Sequence, residues 1–283
     1  MLGYLAFSLF AAHTLTKPLS RYLDKSPKLI SEKYEDINFT TEDGLKLTGW
    51  LLKPQNQSEK LIIFVSGLRG NRTDEGYDTV RISQELLAKG YNILLYDPRA
   101  RGDSKGTRYT LGDKEAKDVV AAVAFAKNRG FLPEKIGLVG NSTGAISLLM
   151  AIDRVNDVGA VVIDSAAARF GPIITSRLWV ETHVPFFFEP GIFFFAKTFF
   201  GADFAAIKPI EKVKLVPSRK FLYLHTTNDH SVLPKESEEL LASSNSGSKL
   251  VLFPDGGHIE TYKKNPALYR DQVYKFLDEE LGP

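Results

Sequence analysis

The 283-residue sequence predicts an α/β fold: a mostly parallel sheet that opens with an N-terminal antiparallel hairpin and carries helices on both faces. Three observations predict it. Short apolar runs of strand length alternate with amphipathic stretches at helical spacing, the pattern of a parallel sheet buried on both sides. A hairpin signal precedes the first of these runs. A Ser, an Asp and a His each fall just after an apolar run, where open α/β sheets bind ligands.

Along the chain, Met1 to Ala12 are uncharged and mostly apolar, and Lys17, Arg21, Lys25 and Lys28 follow. Twelve residues are too few to cross a bilayer, which takes about 20, and the run lacks the basic start and small-residue cleavage site of a signal peptide. It reads as the remnant of a membrane anchor, as a helix lying in the membrane interface, or as a helix packed on the domain. The expectation is membrane-surface contact through this segment. Residues 1–30 are therefore set apart from one domain over residues 31–283.

Ile37 and Phe39, then Leu45, Leu47 and Leu51, alternate with polar residues around the turn Glu42-Asp43-Gly44, which predicts the hairpin. Strands are predicted at Leu61 to Val65, Asn92 to Tyr96, Lys135 to Val139, Ala160 to Ile163, Lys220 to Leu224 and Lys249 to Phe253. Helices are predicted at Thr79 to Lys89 and Lys114 to Lys127, and a last one at Pro266 to Leu281 turns Tyr269, Val273 and Phe276 inward. Arg169 to Val216 is too long for a simple connection and reads as an insertion.

Composition excludes several function classes. With 36 Lys+Arg against 34 Asp+Glu and no basic block, the chain lacks the electrostatic footprint of a nucleic-acid binder. Without Cys there is no disulfide framework, thiol nucleophile or Cys-based metal site. Nineteen Phe against two Met and two Trp is the one oddity.

Gly140-Asn141-Ser142-Thr143-Gly144 lies between a strand and the helical run that includes Ile146 to Ile152, the context a G-x-S-x-G nucleophile turn requires. The sharp turn strains Ser142, and a side chain at either Gly would meet the neighbouring elements. Ser needs a base. His258, in Asp255-Gly256-Gly257-His258 after the last strand, is the candidate, with His230 its rival; His225 ends an apolar run and buries its ring or bonds locally. Asp229 is the candidate acid, with Asp164 the alternative. The backbone N–H groups of Thr143 and Leu68 are the candidate oxyanion donors. This set uses no cofactor and no metal.

These residues resemble the α/β-hydrolase superfamily, specifically its bacterial esterase and serine-aminopeptidase-like branch. The resemblance runs from Tyr34 to Leu281 and includes Asp43 to Trp50, Gly67 to Asn71, the Asp97-x-Arg99-x-x-Gly102-x-Ser104 segment, the nucleophile turn, Asn228-Asp229 and Gly256-Gly257-His258. It implies a serine hydrolase acting on a small-molecule ester through an acyl-enzyme, with peptidase or thioesterase chemistry, or a non-catalytic binding protein of the same fold, as alternatives. It also implies that the insertion, about residues 169–216, is a helical cap. Residues 186–200 hold eight of the nineteen Phe, so this cap is apolar, and its rings either glue it down, contact substrate or meet a membrane. Two features depart from the branch: Ser66 stands where the loop usually has His, which predicts altered loop stability, and the nucleophile turn has Asn141 and Thr143 where other residues are commoner, with Thr143 expected to narrow the entrance.

Overall fold

The computed structural model describes residues 1–18, 23, 25–68, 70–175 and 183–282. Each predicted run forms a strand: β1 (Tyr34–Thr40), β2 (Lys46–Leu52), β3 (Leu61–Val65), β4 (Asn92–Tyr96), β5 (Ile136–Asn141), β6 (Ala160–Asp164), β7 (Leu222–Thr226) and β8 (Lys249–Phe253). They make one eight-stranded sheet in the order β1-β2-β4-β3-β5-β6-β7-β8. β2 pairs antiparallel with β1 and β4, and every other pair is parallel. β3 to β7 are buried along their whole lengths, which is why their sequences are continuous apolar runs rather than alternating ones.

The helices are α1 (Leu2–Thr16), α2 (Thr79–Ala88), α3 (Glu115–Asn128), α4 (Thr143–Ala151), α5 (Glu189–Phe200), α6 (Pro209–Val213) and α7 (Pro234–Ala242). One core joins the sheet to α3, α4 and the insertion through Val119, Ile146, Leu149, Phe204 and Ile210. The other joins it to α2 and the C-terminal helix through Ile82, Leu86, Val273 and Leu277. That last helix is not the single α-helix predicted: a π-helical turn, Arg270–Tyr274, separates Pro266–Tyr269 from Lys275–Leu281. The wider turn lets the Tyr269 hydroxyl meet Tyr77 at 2.9 Å while Tyr274 donates to Glu85 at 2.8 Å, and Tyr269, Val273 and Phe276 stay buried as expected. No apolar periodicity announces α7, because Ser237 and Leu240 are its only buried residues.

The N-terminal segment packs on the insertion. α1 turns Ser8, Ala12 and Thr16 inward, and its Tyr4 and Phe7 rings lie 5.1 and 4.5 Å from that of Phe188. Gly191 of α5 makes this approach close, since a Cβ there would stand 2.5 Å from Ser8 Oγ. Tyr109 N–H donates to Thr16 O at 3.0 Å and fixes the far end of α1 to the body. Of the three readings of this segment, the packed helix is the arrangement observed; Arg21 lies outside the described residues. Among the described residues no helix is long and apolar enough to cross a membrane.

The Phe run divides between packing and exposure. Phe188 packs on α1, Phe200 on His13, and Phe193 on Phe204, whereas Phe186, Phe187, Phe194 and Phe199 are exposed. Much of its adhesive contact is therefore with the N-terminal helix. α6 lies deeper, with Pro209, Ile210 and Val213 buried.

Candidate active site

The turn from β5 into α4 is as tight as its glycines require. Ser142 has φ 51° and ψ −125°, a backbone conformation costly for a residue with a side chain, so surrounding contacts must hold it. They do: Ser142 N–H donates to Asp164 O at 2.8 Å and Ser142 O accepts from Ile146 N–H at 3.0 Å. A Cβ on Gly140 would lie 2.9 Å from Ala145 Cα, and one on Gly144 would lie 2.0 Å from Val65 O. Ser142 is thereby held partly exposed at the carboxyl end of β5, at the first turn of α4.

The sheet order brings the loops after β7 and β8 over this Ser. Ser142 Oγ lies 2.7 Å from His258 Nε2, and His258 Nδ1 lies 2.7 Å from Asp229 Oδ2. The His258 loop is tied rather than loose. Thr226 Oγ1 donates to Gly257 O at 2.8 Å and Gly257 N–H to Glu260 Oε2 at 2.8 Å. Asp229 is buried, and burial alone would raise its carboxyl; hydrogen bonds from His225 and His258, with the Val232 N–H, hold it well below the usual carboxylate range. His230, the rival base, is exposed.

His225 does more than bury its ring. Its Nε2 lies 2.8 Å from Val232 O and 3.3 Å from Asp229 Oδ2, while Nδ1 lies 2.7 Å from Ser237 Oγ. Two acceptors at Nε2 place the proton there, so Asp229 Oδ2 sits between two imidazoles. Asp164, the alternative acid, faces elsewhere: it accepts from Ser165 Oγ at 2.9 Å and from Thr261 Oγ1. Its complete burial raises its carboxyl to about 6, against the hydrogen bonds from Thr261 and Ser165.

Beside Ser142 runs the loop after β3. A Cβ on Gly67 would come within 3.2 Å of Ser142 Cβ, so Gly67 is what allows the loop and its Leu68 N–H this close. Ser66, where His was expected, donates to Asn71 O at 2.9 Å and closes the loop by its own bond. Thr143 does not narrow an entrance: it is buried, and its Oγ1 accepts from Tyr109 OH at 2.6 Å. Asn141 Nδ2 donates to Asp74 Oδ2 at 3.0 Å, tying the nucleophile turn to the end of the same loop. The Asp97 to Ser104 segment braces it from below. Arg72 pairs with Asp97 at 2.5 Å and lies over the Trp50 ring, and Arg99 pairs with Asp118 at 2.7 Å.

The family model described as "Alpha/beta hydrolase family" matches residues 62–272, three-quarters of the chain. The chain belongs to the Alpha/beta hydrolase family. Within it, the chain is 26% identical over 259 residues to the uncharacterized protein YfhR of Escherichia coli K12, a match covering 88% of this chain and 82% of YfhR. It is 25% identical to the uncharacterized peptidase YuxL of Bacillus subtilis, over 79% of this chain and 35% of YuxL. Among solved structures, the Pyrococcus furiosus esterase Pf2001 superposes with a TM-score of 0.78 at 26% identity, covering 94% of this chain and 98% of that one.

On this α/β-hydrolase frame all five residues singled out from sequence lie at one end of the sheet. Sequence reading missed Tyr109 and Arg101, because their partners Thr143 and Gly67 lie 34 residues away, and it missed the contact of His225 with nearby Asp229, because the bend of the loop after β7, not the spacing, turns the carboxylate back onto the ring. A cavity of about 680 Å³ opens in the insertion, lined by Pro172, Phe186, Phe193 and Ile207 with Arg169 and Lys208; Ser142 and His258 are not among its lining residues. Among the described residues, no group of three or more His, Asp or Glu is gathered as a metal ion would need.

Proposed function

We propose that this α/β hydrolase is a serine esterase that cleaves carboxylic esters with apolar acyl or aromatic groups. The observation that carries the reading is the unbroken hydrogen-bonded chain from Ser142 Oγ through His258 to Asp229 Oδ2. His258 Nε2 takes the Ser142 proton as Oγ attacks the acyl carbon, and buried Asp229 holds the imidazole tautomer and stabilises the imidazolium. The tetrahedral oxyanion receives the Leu68 and Thr143 N–H groups. Collapse breaks the ester C–O bond, His258 returns the proton to the leaving alcohol, and a water deprotonated by His258 then frees the acid from Ser142. The apolar acyl or aromatic preference rests on the Phe-rich composition of the insertion, residues 186–200, and not on the cavity within it, which neither Ser142 nor His258 lines.

Incubation with a fluorophosphonate probe and with p-nitrophenyl esters of rising chain length tests this. The expected result is labelling and turnover in the wild type and neither in Ser142→Ala, with medium acyl chains preferred over acetyl. An unlabelled, inert wild type would support a binding protein on this fold. Faster turnover of aminoacyl amides or thioesters than of oxygen esters would move the assignment to a peptidase, as YuxL is described, or to a thioesterase.

A further inference from the structure

We propose that Arg101 and Tyr109 form a positioning unit that strengthens and aligns the oxyanion hole, an inference that rests on the serine-esterase reading. Arg101 is 5% exposed, and no carboxylate pairs with it among the described residues, in contrast to its neighbours Arg72 and Arg99. A buried guanidinium without a counter-charge is costly, so its surroundings must make use of the charge. Its Nη1 donates to Gly67 O and, at 3.4 Å, to Gly70 O, its Nε has no partner among the described residues, and its Cζ lies over the Tyr109 ring, 4.7 Å from the centroid.

The acceptor is informative. Gly67 C=O and Leu68 N–H belong to one planar trans peptide unit and point to opposite sides of it. A cationic donor on the carbonyl polarises that unit and makes its N–H a stronger donor, the cooperativity expected of linked hydrogen bonds in a dry site. The charge of Arg101 thus reaches the oxyanion through the peptide without touching substrate. The guanidinium also lies over the ring of Tyr109, whose hydroxyl donates to Thr143 Oγ1 at 2.6 Å and fixes the residue that carries the second N–H. One buried unit therefore reaches both donors. Because a developing oxyanion gains more from such polarisation than a neutral ester carbonyl does, the effect belongs to the transition state.

The test compares wild type, Arg101→Met, Arg101→Lys and Tyr109→Phe on a p-nitrophenyl ester, together with inhibition by a trifluoromethyl ketone, which forms a tetrahedral oxyanion. Arg101→Met is expected to lower kcat by about 10- to 100-fold, less than removing a donor outright. Its KM should stay within about twofold, and ketone affinity should weaken in step with kcat/KM. Arg101→Lys, which keeps the charge, recovers part of the loss. Tyr109→Phe keeps the ring under the guanidinium and lowers kcat by about 3- to 10-fold, a fraction of a lost donor, and it provides the test if Arg101→Met does not fold. A folded Arg101→Met or Tyr109→Phe with wild-type kcat, or one whose ketone affinity does not change, overturns the proposal while leaving the esterase reading intact. A wild type inert toward esters and fluorophosphonate overturns both.

Discussion

Asp164 and Asp229 are both buried carboxyls at the carboxyl ends of neighbouring strands, yet their partners give them opposite character. Asp229 receives two imidazoles and two backbone N–H groups, and its charge is favoured; Asp164 receives two hydroxyls, and burial raises it to about 6. A raised carboxyl in the folded state means that the fold holds that proton more tightly than the unfolded chain does. Its stabilising contribution is complete below the ordinary value of 3.8 and is lost as pH rises to about 6. The loss amounts to about 3 kcal/mol. Asp164→Asn lacks this dependence, so its melting temperature relative to wild type should rise between pH 4 and pH 7, by about 2–4 °C for each kcal/mol. A gap that stays constant across that range would refute the burial argument. Ester turnover separates the same pair: Asp164→Asn should remain active, whereas Asp229→Asn should lose about 10⁴-fold in kcat because the base is left in the wrong tautomer. Comparable losses in both variants would contradict the proposed roles.

Among the elements, the least expected arrangement is the pairing of α1 with α5. The sequence presented an uncharged N-terminal run and a distant Phe-rich run as two separate apolar features, and each is the other's packing partner. Gly191 is the point of closest approach, so Gly191→Leu should force the helices apart and destabilise by about 1–3 kcal/mol, the usual cost of overpacking. The readout is limited proteolysis within residues 1–16, which should accelerate in the variant, while turnover of a short ester stays within about twofold because Gly191 touches no residue of the proposed site. Unchanged proteolysis would show that the α1 contact does not depend on this approach. The π-turn in the last helix has a similar origin. Its sequence is compatible with a regular α-helix, and the demands of Tyr77 and Glu85 at two successive aromatic positions decide the wider turn.

At the scale of the whole molecule, the nucleophile turn joins β5 to α4 and packs directly against the end of β3. Gly144→Ala would place a Cβ 2.0 Å from Val65 O, a backbone atom that cannot rotate away. β3 and the turn would have to separate, which should cost about 3 kcal/mol or more in urea denaturation and remove ester turnover together. A stable, active Gly144→Ala would mean that the sheet yields more readily than close packing allows.

Much of this protein could be read from its sequence because the signals were local. Continuous apolar runs mark strands buried on both faces, and the glycines on either side of Ser142 state the turn geometry outright. The order of the elements placed Ser142, Asp229 and His258 at strand ends on one side of the sheet. What remained open were questions of distance between residues far apart in the chain. The distances that join Ser142 to His258 and His258 to Asp229, the partner of α1, and the joining of Arg101 to Gly67 and of Tyr109 to Thr143 depend on segments that the fold, not the spacing, brings together. Short-range patterning determined the elements and the chemistry they carry. Only the tertiary structure decided which groups face each other, because a hydrogen bond depends on tenths of an ångström that sequence spacing does not encode.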